Sequence, residues 1–121
     1  MRYLLVATGG GLAALARYSA SVAVGVKTFP YATLGVNVSG AFFFGLIITL
    51  TMMGRIPRDL GTAATVGFLG AYTTFSTFGW ETFVLVKDHR LPTAGLYVTL
   101  SVTLAVAAAG LGHVAARGWP R

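Results

Sequence analysis

The sequence predicts an all-α membrane protein with four transmembrane helices, the third of them broken mid-membrane. Three observations predict it. The chain is 55% hydrophobic and only 10% charged, with a mean hydropathy of +0.75, whereas soluble domains average about 25% charged residues. Its apolar residues gather into four stretches, each longer than the ~20 residues needed to cross a hydrocarbon core. One stretch carries, at its middle, a run of glycines and hydroxyls that lipid alone would not tolerate. The four spans and their connections occupy residues 1–121 as one transmembrane domain.

The first span is read at 3–26, behind Arg2. It resembles a signal peptide, with an apolar run followed by the small residues Ser19, Ala20 and Ser21. The apolar character resumes through Val22 to Val26, which favours a retained helix. Gly9, Gly10 and Gly11 make a small-residue packing surface. Neither the strand nor the Lys-Ser/Thr of a phosphate loop accompanies them. Arg17 stands about fourteen residues into the span, ~21 Å along a helix. It has two readings: a side chain snorkelling to the interface, or a cation lining a water-filled vestibule that attracts anions.

The second span is read at 31–53, after Pro30, and contains Asn37. A membrane-embedded amide serves as interhelical adhesion worth about 0.6–2 kcal/mol, or as an N–H donor to an anion. Both readings stay open. Gly40, Ala41 and Phe44 share its helical face.

The third span is read at 60–86 and holds the unusual run. Gly67-Phe68-Leu69-Gly70-Ala71-Tyr72-Thr73-Thr74-Phe75-Ser76-Thr77-Phe78 includes four hydroxyl side chains and two phenylalanines three apart. Non-helical backbone at membrane depth survives only where protein buries it or a cavity hydrates it. The segment is therefore the expected functional centre, where ions bind or pass. Glu81, the one carboxylate inside a span, is either a proton-coupling acid or a hydrated group near the helix end.

The fourth span is read at 93–116. Tyr97 and Ser101, four apart, share one of its faces. Connections at 27–30, 54–59 and 87–92 carry Pro30, Pro57 and Pro92, where proline bounds helices without breaking one.

Several function classes fall away. The formal charge of +6 does not mark a nucleic-acid binder, because the basic residues sit at span ends, among lipid headgroups. Cysteine is absent, which removes disulfides and thiolate metal sites. His89 and His113 have no ligand partner at metal-binding spacing. No paired carboxylate, activated nucleophile or cofactor fingerprint indicates an enzyme. Orientation is undecided by charge. Arg2, Arg55, Arg58, Arg117 and Arg121 lie on one side; Lys27, Lys87 and Arg90 lie on the other, with Arg17 nearer to them. That small difference fits ordinary insertion with cytoplasmic termini, or insertion both ways up with oppositely oriented copies pairing about an in-plane two-fold axis.

The run 67–78 resembles the third-helix signature of the small bacterial fluoride channels, the Fluc (CrcB) family. Gly10-Gly11-Leu12 leading to Ala16-Arg17-Tyr18, and Thr33-Leu34-Gly35-Val36-Asn37-Val38-Ser39-Gly40, are similar to that family's first- and second-helix motifs, in the same order. The resemblance implies an antiparallel, dual-topology homodimer in the cell inner membrane, with two passive fluoride pores. It implies that Asn37, Phe75, Phe78, Ser76, Thr77, Tyr97 and Ser101 line the anion pore. It also implies a structural Na+ at the dimer centre, held by backbone carbonyls of Gly70 and Thr73. Two departures stand out. Ala71 occupies a position where relatives often carry glycine, and Ala105 and Ala109 replace hydroxyls that continue along helix four in some relatives. The chemistry is coherent: a small, strongly hydrated anion needs its water replaced by amide and hydroxyl donors and by positive aromatic ring edges. The rival is a dual-topology multidrug exporter, a class that needs an embedded acid, typically in the first helix, where this chain has Arg17.

Overall fold

The computed structural model describes residues 1–119, which are all-helical and contain no strand. Helix α1 spans Arg2–Val24 and ends at Gly25, whose φ of 69° a side chain would resist. Helix α2 spans Tyr31–Met52, entering from Pro30 and leaving through Gly54, φ 72°. The third predicted span is assembled from pieces. Helix α3 covers Arg58–Thr62, with Pro57 before it and Asp59 in its first turn, where a carboxylate complements the helix dipole. It runs directly into a π-helical segment, Ala63–Leu69, and then into the short α4, Gly70–Tyr72. Thr73 and Thr74 interrupt the path, and α5 continues over Phe75–Lys87. Helix α6, Leu91–Gly118, carries its proline in the first turn, where no N–H is missed. The expected boundaries thus hold to within a few residues.

Helices α2 and α6 are each long and apolar enough to cross a membrane. Helix α1, at 23 residues, is about 34 Å long, and the glycines, hydroxyls and Arg17 in it dilute its apolar character. Large apolar side chains point outward: Leu4, Leu12 and Leu15 on α1, Phe83 on α5, and Val102, Val106 and Leu111 on α6 are exposed. The buried positions are mostly small or hydroxylated: Ala13, Thr33, Thr49, Thr65, Ala94, Ser101, Ala108 and Ala116. This distribution suits a lipid solvent, where helices associate through close backbone approach rather than by hiding leucines.

Helix α2 packs most extensively on α6. The two backbones meet at Gly45, over the Ala109 backbone, and at Gly112, over the backbone of Phe42 and Leu46. A Cβ at either glycine would collide with the opposite main chain. Ala109 is therefore part of a helix–helix seam. On the other side of the bundle, α1 packs on the π-helical segment, with Gly67 against the Val6 backbone and Gly9 against Ala63 and Phe68. Gly9 and Gly10 thus form the packing surface expected of them, while Gly11 faces open space.

Candidate functional site: the interrupted third helix and its aromatic strip

The helical path bends because Thr73 (φ −77°, ψ 157°) and Thr74 (φ −148°, ψ 118°) are extended. Threonine suits such backbone through its β-branch, and it carries a hydroxyl that can replace lost helical partners. Thr74 does so: its Oγ1 accepts the Thr77 backbone N–H at 3.2 Å and so caps α5. The same oxygen lies 3.0 Å from Thr77 Oγ1 and 3.3 Å from Ser76 Oγ. Thr73 donates its own hydroxyl back to the Leu69 carbonyl at 2.9 Å. Gly40 of α2 allows the close approach, since a Cβ there would strike the Thr73 side chain.

Two side chains from other helices hold the interruption. The Asn37 amide pairs with both backbone groups of Thr74. Its Nδ2 donates to the Thr74 carbonyl at 3.1 Å, and its Oδ1 accepts the Thr74 N–H at 2.8 Å. Of the two readings of Asn37, adhesion is what the structure displays, with the second amide hydrogen outside this pair. Arg17 reaches in from α1, and its Nε donates to the Ala71 carbonyl at 3.2 Å. The guanidinium is half-buried and satisfies a carbonyl freed by the missing turn, a task that neither snorkelling nor a vestibule role anticipates. Gly70 itself is still helical, φ −63° and ψ −32°. Among the described residues, the hydrogen bonds around the interruption leave the Gly70 and Thr73 carbonyls without a donor. Those two oxygens are the kind of hard, neutral donor that suits a monovalent cation. No group of three or more His, Asp or Glu side chains able to hold a metal occurs among the described residues.

Beyond the interruption an aromatic strip follows α5. The Phe75 and Phe78 ring centroids are 5.6 Å apart, and Phe78 lies 5.2 Å from Tyr97. Tyr97 in turn meets the ring of Phe29 edge-on at 5.6 Å. Phe75 is 83% exposed in the single chain, while Tyr97 is fully buried. Ser101, one turn further along α6, is 7% exposed, and its Oγ has no hydrogen-bond partner. Tyr97 and Ser101 thus share an inward face, as their spacing predicts. The Tyr97 hydroxyl, however, is spent on a carboxylate.

That carboxylate is Glu81, which sequence reasoning left without partners. Its Oε2 accepts from Tyr97 Oη at 2.7 Å, and its Oε1 accepts from Thr33 Oγ1 at 2.8 Å. One acid therefore ties α2, α5 and α6 together. A lone carboxylate inside a span had to find donors on neighbouring helices, but which ones depends on packing. Glu81 and Thr33 also line a cleft of about 540 Å³ between the end of α1, the 25–30 connection and α5. His113, at the far end of α6, lies 3.0 Å from Thr49 Oγ1.

The comparisons with known proteins cover nearly the whole chain. Residues 4–113 match the family described as CrcB-like protein, Camphor Resistance (CrcB). A relative in Solibacter usitatus, described as fluoride-specific ion channel FluC, is 44% identical over 97% of this chain and 99% of its own length. Relatives of the same description occur in Geobacter metallireducens, 44% identical over 93% of this chain and 94% of theirs, and in Acidobacterium capsulatum, 43% identical over 94% of both. With a family match of that extent, and with relatives this similar across their full length, the chain belongs to the CrcB family.

Proposed function

We propose that this chain is a passive fluoride channel of the cell inner membrane, a multi-pass protein that works as an antiparallel, dual-topology homodimer with two pores. The observation that carries the reading is the first turn of α5. There Phe75 and Phe78 stand beside Ser76 and Thr77, at the N-terminus of a 13-residue helix. Backbone N–H groups and the helix dipole favour an anion at that end. Hydroxyls offer donors, and ring edges offer positive potential without a formal charge. Each contact is weak, which lets an ion leave as readily as it enters. The uncommitted Ser101 hydroxyl extends the donor set along α6, and the ring of Tyr97, rather than its hydroxyl, faces Phe78. The printed description of the relatives agrees with this chemistry.

Two copies in opposite orientation would bring two interruptions together about a two-fold axis. The Gly70 and Thr73 carbonyls of both copies would then hold a sodium ion as a structural tie. The near-balance of basic residues on the two sides supports such dual insertion. Bound sodium would supply positive charge to carbonyls that otherwise cost several kcal/mol each in a membrane.

The test is efflux from proteoliposomes. Fluoride-loaded vesicles should empty without a proton gradient, and chloride-loaded vesicles should not. Flux that requires a proton gradient would favour the exporter reading, built on Glu81. Comparable chloride efflux would end the selectivity claim. Adding two lysines to the 54–59 connection should fix one orientation and abolish flux, and a partner fixed the other way should restore it. Full activity from a chain held in one orientation would refute the antiparallel dimer.

A further inference from the structure

The cations at the two ends of the bundle differ in kind. Where α2 stops and α6 finishes they are all arginines: Arg2, Arg55, Arg58 and Arg117, with Arg121 outside the described residues. In the connections at the opposite end, two of the three are lysines, Lys27 and Lys87. Of the chain's acidic side chains only Asp59 lies at the arginine end, and it is bound to Arg2 at 2.6 Å. The channel reading uses none of these groups. We propose that Arg55, Arg58 and Arg117, with Trp119 beside them, form a binding surface for the phosphate headgroup of an anionic phospholipid.

One contact gathers the three arginines. Arg55 Nη1 donates to the Trp119 carbonyl at 2.6 Å, which draws the connection after α2 onto the end of α6. Arg117 precedes Trp119 by two residues, in the last turn of α6, and Arg58 follows Arg55 by three, at the start of α3. At no more than ~3.6 Å per residue, their Cα atoms lie within about 7 Å and about 11 Å of those two anchors. Arg55 is half-buried, while Arg58, Arg117 and Trp119 are exposed. Among the described residues no protein acceptor takes the Arg58 or Arg117 guanidinium. A guanidinium is a planar fork that matches phosphate oxygens in pairs, whereas an ammonium is a point charge. A cation in the last turn also suits the carbonyl end of a helix, but that attraction does not separate arginine from lysine. The source of the phosphate follows from depth. Both helices long and apolar enough to cross a membrane, α2 and α6, have an end at this surface. Lipid headgroups therefore lie level with it, and the exposed indole of Trp119 suits the same layer.

The experiment reads lipid binding rather than flux, so it stands apart from the channel reading. The purified full chain, in neutral detergent, is titrated with short-chain phosphatidylglycerol, short-chain phosphatidylcholine or inorganic phosphate. Bound lipid is counted by native mass spectrometry, and Tm is followed in parallel. Phosphatidylglycerol should bind about tenfold tighter than phosphatidylcholine and raise Tm, and inorganic phosphate at the same concentration should do neither. Lysine variants keep the charge that guides insertion and remove the fork. Arg58→Lys with Arg117→Lys should weaken phosphatidylglycerol binding about tenfold, and Arg117→Lys alone about threefold. Arg90→Lys, at the opposite end, should change nothing. The proposal is overturned if phosphatidylcholine binds equally well, or if both lysine variants keep the affinity of the unmodified chain. It is equally overturned if Arg90→Lys weakens binding as much. Inorganic phosphate that displaces phosphatidylglycerol at matching concentration would make this a free-anion site and end the lipid assignment.

Discussion

The two halves of this bundle are held together in opposite ways. Helices α2 and α6 are continuous, and their seam is backbone on backbone, through Gly45 and Gly112. Helix α1 faces a third helix that is α-helical, then π-helical, briefly α-helical, then extended, then α-helical again. Its irregular backbone depends on side chains from outside: Arg17 on the Ala71 carbonyl and Asn37 on Thr74. The first seam rests on glycine proximity, whereas the second adds to its own glycine contacts, at Gly9 and Gly67, side chains that satisfy orphaned main-chain groups. The lesson is a division of labour. A continuous pair supplies the frame, and on the proposed reading the polar interruption braced against it would supply the chemistry.

The comparison breaks most visibly at the seam. Gly112→Ala puts a methyl against the Phe42 carbonyl oxygen and within 2.8 Å of the Leu46 nitrogen. Backbone cannot move aside cheaply, so overpacking of about 3 kcal/mol or more should follow, read as loss of monodisperse protein on gel filtration. Gly110→Ala, two residues away, meets nothing within 4 Å and should purify normally. If both variants behave alike, the seam is not the frame.

The next effect belongs to the strip. Phe78→Ile and Phe75→Ile should preserve the fold yet cut fluoride efflux about tenfold, the equivalent of roughly 1.4 kcal/mol of lost ring-edge attraction. Phe78→Ile should also lower the unfolding temperature a little, since that ring packs on Tyr97, whereas the exposed Phe75 should not. Asn37→Asp sharpens the contrast between donor and brace. It deletes the N–H given to the Thr74 carbonyl, at about 1–3 kcal/mol, so thermal stability and flux should fall together. Lost flux with unchanged stability would return Asn37 to a purely pore-facing role. Arg17→Gln should cost less, about 1–2 kcal/mol, because a neutral amide can still donate to the carbonyl. The smallest effect is expected at the exposed Arg2–Asp59 pair, 2.6 Å apart. There Asp59→Asn should shift stability by less than about 1 kcal/mol, and less still in high salt.

The regular half was the more legible. Hydropathy located α2 to within one residue and α6 to within two at each end, with Pro92 falling inside the first turn of α6 rather than before it, because lipid imposes length and composition on any span. The interruption was legible in part: hydroxyls cluster at 73, 74, 76 and 77, and two of them, Thr73 and Thr74, are the extended residues. Its exact seat was not. Gly70, named for its carbonyl at the break, remains helical, and the extended residues are the two threonines. The π-helical turn left no local mark; Gly67 within it packs on the Val6 backbone, some sixty residues earlier. Likewise, Thr33, Glu81 and Tyr97 meet only after three helices have packed. Each carried a recognisable side chain, but nothing in spacing assigns one to another.

The α2–α6 seam has a consequence for biosynthesis. Gly45 emerges from the ribosome long before Gly112, the other glycine of the seam. At about 5–20 residues per second, some sixty-seven residues take roughly 3–13 s. Throughout that interval α2 must reside in the bilayer, or in the insertion machinery, with its closest partner unmade. Charges at the ends of the first helices can therefore act on their direction across the membrane before the α2–α6 contact exists.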